Sequence, residues 1–158
     1  METHARILVV EDDPSIREAL AELLTEEGYA VASAANGAEA LALLELEAPP
    51  SLILLDLMMP VMDGWAFRSA QRRDPRLSPI PVLVLSASRV ADGGPEAELA
   101  ADAFLQKPFE LEALVDFVRW LTRSTPPATP PGPRACCAGS VASRARFAAA
   151  AGAEAPLT

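Results

Sequence analysis

The stretch "SLILLDLMMP", Ser51–Pro60, decides how the rest of the chain is read. Leu52, Ile53, Leu54 and Leu55 follow one another without a polar break, then comes Asp56, then Leu57, Met58 and Met59. An unbroken aliphatic run of this length is the mark of a strand buried on both faces, as in a parallel sheet covered by helices. A carboxylate in the middle of such a run is costly to bury unless something pairs with it. The strand therefore has to end at Asp56, and some other part of the chain has to face that residue.

Working outward, the same grammar repeats. "RILVV" (6–10), "YAVASA" (29–34), "VLVLSA" (82–87) and "AFLQK" (103–107) read as further strands. Between them lie segments with apolar residues at helical spacing. "PSIREALAELLTEEG" (14–28) has Pro early, Ile16, Leu20, Leu23 and Leu24 on one side, and Gly28 to close it. "GAEALALLELEA" (37–48), "GWAFRSAQRRD" (64–74), "GPEAELAADA" (94–103) and "ELEALVDFVRWL" (110–121) are the other predicted helices. Strand and helix alternate five times, which implies parallel strands, right-handed crossovers and helices on both faces of the sheet. Ligands of such folds bind beyond the carboxyl ends of the strands.

The strand ends carry the chemistry. The first ends in Glu11, Asp12 and Asp13, the third in Asp56, the fourth in Ser86 and the fifth in Lys107, followed by Pro108. A parallel sheet brings all of these to one edge. Clustered carboxylates repel unless a cation joins them, and an all-oxygen donor set suits Mg²⁺. Asp13 reads more simply as the N-cap of the first helix. Carboxylates, a divalent cation, Lys107 and the Ser86 hydroxyl around one Asp form a site that can accept a phosphoryl group, since that transfer depends on positioning and charge stabilisation.

In "ILVVEDDPSIREAL", "LILLDLMMPVMDG", "VLVLSA" and "AFLQKPF", taken in order, the chain resembles the receiver domain of two-component response regulators, the CheY-like superfamily, over roughly residues 5–122. The resemblance implies a CheY-like, flavodoxin-like (βα)5 three-layer sandwich with a five-stranded parallel sheet of order 2-1-3-4-5. It implies that Asp56 is the phosphoacceptor. It makes Asp12 a direct ligand of Mg²⁺, Glu11 a ligand through water, and the backbone carbonyl of Met58 a third protein ligand. It gives Ser86 and Lys107 the phosphoryl oxygens to bind, a cis peptide before Pro108, and Phe104 the aromatic switch position. The implied partners are a sensor histidine kinase or histidine phosphotransfer protein upstream and an unidentified protein downstream.

Composition bounds the remainder. The chain has 158 residues and a formal charge of −9. Such acidity disfavours non-specific nucleic-acid binding and docking on anionic membranes. No apolar stretch reaches the roughly 18 residues of a membrane span, no signal peptide is visible, and the adjacent Cys136 and Cys137 form neither a disulfide framework nor a zinc spacing; a cytoplasmic protein is expected. After residue 123 the sequence turns Pro- and Ala-rich, with Arg134, Arg144 and Arg146 against a single acid, Glu154. The expected organisation is a receiver domain over 1–123 and a flexible tail over 124–158. The tail is too short for an output domain, so the expectation is a single-domain regulator. It would signal by protein contact through the face of the fourth helix, fifth strand and fifth helix, with no DNA-binding or enzymatic output domain. It is not expected to be an enzyme beyond its own phosphorylation and dephosphorylation. It is expected to be a monomer or a phosphorylation-dependent dimer, with no nucleic-acid or membrane partner. Two other readings are a scaffold that keeps the fold without using phosphate, and a phosphohydrolase; the latter commonly has a second Asp where Met58 stands.

Overall fold

The computed structural model describes residues 5–87 and 99–123. The strands are β1 (Arg6–Val10), β2 (Ala30–Ala34), β3 (Leu52–Asp56), β4 (Val82–Ser86) and β5 (Ala103–Gln106). The helices are α1 (Pro14–Glu26), α2 (Gly37–Leu46), α3 (Gly64–Arg73) and α4 (Leu111–Thr122). All strand pairs are parallel and the sheet order is β2-β1-β3-β4-β5, as expected. The predicted helix over 94–103 and the tail over 124–158 fall mostly or wholly outside the described residues. Where the two overlap, the helix boundary is corrected: Ala103 already opens β5.

The unbroken apolar runs are explained by two cores, one on each face. On one face Leu8, Val10, Ile53, Leu55, Val82, Val84 and Phe104 pack against Ala40 and Leu44 of α2 and Phe67 of α3. On the other, Ile7, Val9, Leu52, Leu54, Leu83 and Leu85 pack against Leu20 and Leu24 of α1 and Leu114, Phe117 and Val118 of α4. Alternate strand residues therefore point into different cores, and both sets must be apolar. Burying one such aliphatic or aromatic side chain contributes roughly 1.5–3 kcal/mol. The edge strand β2 is less buried and correspondingly smaller and more polar, with Ser33 exposed.

Helix starts follow local rules. Asp13 caps α1, its Oδ1 accepting from the N–H groups of Ser15 at 2.9 Å and Ile16 at 3.3 Å. Asn36 and Asp63 do the same for α2 and α3, through Glu39 N–H at 2.9 Å and Ala66 N–H at 2.8 Å. Among the described residues no helix is long and apolar enough to cross a membrane.

Candidate functional site

The register sets the site. Val10 lies beside Leu55, and Asp56 beside Leu85, so the residues after Val10, Leu55 and Leu85 emerge together at the carboxyl edge of the sheet. The site sits where the order turns about β1 and β3, the position at which open parallel sheets bind ligands.

Glu11 leaves β1 buried, at 1% exposure, with its N–H donating to Ala34 O at 3.1 Å. Asp56 ends β3 at 5% exposure. What faces Asp56 is Lys107: its Nζ donates to Glu11 Oε2 at 2.8 Å and lies 3.5 Å from Asp56 Oδ1. Asp12 is exposed, and one carboxylate oxygen each from Glu11, Asp12 and Asp56 lie within 4.8 Å of one another. Ser86 ends β4 buried, and its carbonyl accepts from Lys107 N–H at 2.7 Å. The Lys107–Pro108 peptide is cis, as the resemblance implies. Phe104, opposite Val84 on β5, is buried in the core shared with α2 and α3. Met58 is 70% exposed, and its backbone hydrogen-bonds to the Asp56 carboxylate.

The electrostatics are strained without a further cation. Burial, and then the Asp56 charge, push the Glu11 carboxyl up to about 6 despite its bond to Lys107. Burial also pushes Asp56 above the usual carboxylate range, with Lys107 opposing it. Burial works against the charge on Lys107, but its Glu11 hydrogen bond and the two carboxylate charges outweigh this and raise it. One ammonium thus faces two buried carboxylates, with the Asp12 carboxylate as a third beside them. That donor set, hard oxygens in excess of positive charge, fits a hydrated Mg²⁺.

Two supports of the site were not read from the sequence. Arg17 turns back from α1, its Nη1 donating to Glu11 O at 2.9 Å and Asp12 O at 3.3 Å, which holds the acidic loop in place. Its signal is an Arg one turn into a helix that follows an acidic strand end. The second is Gly64, the first residue of α3. A Cβ there would lie 2.7 Å from Asp56 O and 2.8 Å from Leu57 Cα, so only glycine lets α3 approach the end of β3 this closely.

The sequence profile of the response regulator receiver domain matches residues 7–119. The chain belongs to this family. Receiver domains belong to two-component signalling, and the cluster of Glu11, Asp12 and Asp56 is consistent with the self-phosphorylation chemistry of that family. It is 40% identical over 121 residues to the DNA-binding dual master transcriptional regulator RpaA of Synechocystis sp., covering 76% of this chain and 50% of that protein. It is 40% identical over 123 residues to the response regulator MprA of Mycobacterium avium, covering 77% and 53%. The chain thus spans about half the length of these curated relatives. Among solved structures, the chemotaxis response regulator CheY4 of Vibrio cholerae matches with TM-score 0.66 and 34% identity, covering 75% of this chain and 99% of that one. TrrA of Thermotoga maritima, solved in complex with Mg²⁺-BeF, matches with TM-score 0.65 and 33% identity, covering 74% and 98%.

One expectation is overturned. The output was expected to be protein contact from a single-domain regulator with no DNA-binding output domain. RpaA is named as DNA-binding, and the ycf27 proteins, 42% identical in Cyanophora paradoxa, as probable transcriptional regulators. The expectation rested on the number of residues after 123. A receiver's phosphoryl chemistry is complete in its own sheet edge, so neither that edge nor the length after it identifies the output to which it is coupled.

Proposed function

We propose that this receiver accepts a phosphoryl group on Asp56 from the phosphohistidine of a sensor histidine kinase or a histidine phosphotransfer protein. A carboxylate oxygen of Asp56 attacks phosphorus in line, the bond to the imidazole nitrogen breaks, and the imidazole leaves with the electron pair. The observation that supports this most directly is Lys107, held 2.8 Å from Glu11 and 3.5 Å from Asp56. There its ammonium would take up charge on the phosphoryl oxygens. Asp12, Glu11 through water, Asp56 and the Met58 carbonyl would hold Mg²⁺, which when bound supplies charge neutralisation at the transferring group. Arg17 keeps the acidic loop oriented towards that position.

Phosphorylation adds roughly −1.5 to −2 charge and strong acceptor oxygens. The Ser86 hydroxyl would donate to one of them, and Phe104, two residues before Gln106 in the adjoining strand, would repack in response. These roles for Ser86 and Phe104 rest on the family resemblance and on their placement at the end and in the middle of neighbouring strands. The similar proteins are named for transcription in one case and for chemotaxis in another, so the proposal is confined to phosphoryl acceptance and release.

The test is intact-protein mass before and after a small phosphodonor, with and without Mg²⁺. A Mg²⁺-dependent gain of one phosphoryl group that disappears in Asp56→Asn is the expected result. Labelling that persists in Asp56→Asn sinks the assignment.

A further inference from the structure

Helix α3 carries a polar device that the phosphoryl chemistry does not use. Arg68 is buried, at 7% exposure, and Gln71, one turn on, is fully buried. Arg68 Nε donates to Leu99 O at 2.9 Å, Nη2 to Ala100 O at 2.8 Å, and Nη1 to Gln71 Oε1 at 2.7 Å. Gln71 Nε2 donates to Leu77 O at 3.0 Å and Ile80 O at 3.1 Å. One connected network therefore ties α3 to the segment leading into β4 and to the segment leading into β5. The acceptors on the β5 side lie 31 and 32 residues from Arg68 in sequence.

This is an expensive way to hold a turn. Burial opposes the Arg68 charge, with Asp102 only partly compensating, and the three acceptors are neutral oxygens. A buried charge of this kind is often replaceable by an apolar side chain of similar volume without loss of stability. What an apolar side chain lacks is the planar fork, which reaches two successive carbonyls at once. Those carbonyls need holding, because Ala100 sits at φ 48°, a left-handed conformation that is strained for a non-glycine residue. Just beyond, Asp102 locks the start of β5 to β4: Val82 N–H donates to its Oδ2 at 2.9 Å and its N–H donates to Val82 O at 3.0 Å.

The start of α3 thus meets the backbone of Asp56, and its middle holds the approach to β5. Gly64 packs on the backbone of Asp56 and Leu57, and Arg68 grips the entry to the strand that carries Phe104 and leads to Lys107. We propose that Arg68 is a positioning residue: its fork sets the height of β5, and so of Phe104 and Lys107, relative to α3 and Asp56. Resting on the receiver reading above, the proposal makes α3 the rigid bar against which the β5 side moves when Asp56 is phosphorylated.

The experiment is amide hydrogen exchange of the full chain, read by mass spectrometry over residues 99–106, for wild type, Arg68→Met and Arg68→Lys. In the unmodified protein both variants are expected to exchange at least tenfold faster over 99–106 while β1 and β3 keep wild-type protection. Arg68→Lys belongs with Arg68→Met because an ammonium keeps the charge but loses the fork. Exchange within twofold of wild type in both variants overturns the proposal, and so does wild-type exchange in Arg68→Lys alone. Should Arg68→Met lose its cooperative urea transition, Arg68→Lys decides by the same criterion. After a phosphodonor, a change in protection over 99–106 is expected in wild type and absent in the variants; an equal change in all three overturns the coupling. A wild type that gains no phosphoryl mass counts against the site assignment and not against Arg68, whose role is still judged by exchange in the unmodified proteins.

Discussion

Replacing Gly64 with alanine adds one methyl group at the junction of α3 and β3. The new Cβ would stand 2.7 Å from Asp56 O, 2.8 Å from Leu57 Cα and 2.8 Å from Leu57 Cδ2. Ordinary contact begins at 3.4 Å, so the start of α3 has to retreat by about 0.7 Å. Two of the three obstructing atoms are backbone and cannot rotate away. Overpacking of this kind costs about 1–3 kcal/mol. The helical preference of alanine over glycine returns at most about 0.5–1 kcal/mol. The expected net loss is about 1–2 kcal/mol, which lowers the urea midpoint by about 1 M. The retreat also pulls on the backbone that carries Asp56, where a misplacement approaching 1 Å can cost up to about 100-fold in rate. Phosphoryl acceptance from a small donor is therefore expected to slow at least tenfold. Gly37→Ala is the control. Its Cβ would meet Met62 Cγ at 2.8 Å, Met62 Sδ at 3.0 Å and Phe67 Cβ at 3.0 Å. Met62 can turn away but Phe67 Cβ is fixed to α3, so this change should cost about 1 kcal/mol, while its distance from the Asp56 backbone should leave acceptance intact. A Gly64→Ala protein with the wild-type midpoint and rate would refute the steric argument.

Val61 holds φ 67° at 86% exposure, so Val61→Gly relieves backbone strain without losing burial and should raise the urea midpoint by the equivalent of about 0.5–1 kcal/mol; a lower midpoint would contradict this. Asp13→Ala removes the α1 cap and should cost about 1 kcal/mol while leaving the phosphoryl mass gain unchanged, whereas a lost mass gain would mean that Asp13 belongs to the site. The Glu11 carboxyl, raised from 4.5 to about 6 by burial, gives the metal-free protein a definite pH dependence. A carboxyl raised on folding holds its proton more tightly in the native state, so its contribution is least unfavourable below about pH 4.5. Stability should fall by about 2 kcal/mol as pH rises through 6. Glu11→Gln removes the Glu11 share of that fall in urea titrations across the range and leaves the share of the raised Asp56 carboxyl; an unchanged profile in the variant would show that Glu11 contributes none of it.

Much of this was legible because each strand is buried on both faces. Ile53 and Leu54 had to be apolar for different cores, so β3 read as an unbroken run and its end at Asp56 stood out. Parallel alternation alone then places Glu11, Asp56, Ser86 and Lys107 on one edge. Arg68 and Gln71 were not legible. In "GWAFRSAQRRD" they look like the solvated side of a helix, and their partners, the carbonyls of Leu99 and Ala100, carry no side-chain signal. Nor was the strain at Val61 and Ala100, since nothing in a valine or an alanine announces a positive φ. The helix read over 94–103 ran too far for a related reason. "ELAADAFL" is equally apolar on either side of Asp102, so the sequence alone does not mark where β5 begins.

The two-sided burial of the strands has a consequence for how they find their alignment. A strand with one wet face is held in place because sliding it by one residue would turn its apolar side to water. β3 and β4 have no wet face, so sliding either by one position would exchange one aliphatic residue for another at little cost. What such a slide cannot do freely is draw Asp56 or Ser86 inwards, or Glu11 with β1, because each would lose its polar surroundings. The groups proposed to meet the phosphoryl donor therefore also act as end-stops, telling the folding chain where each strand finishes. Asp56→Leu would remove the proposed phosphoacceptor, and it would also remove the mark that aligns the central strand.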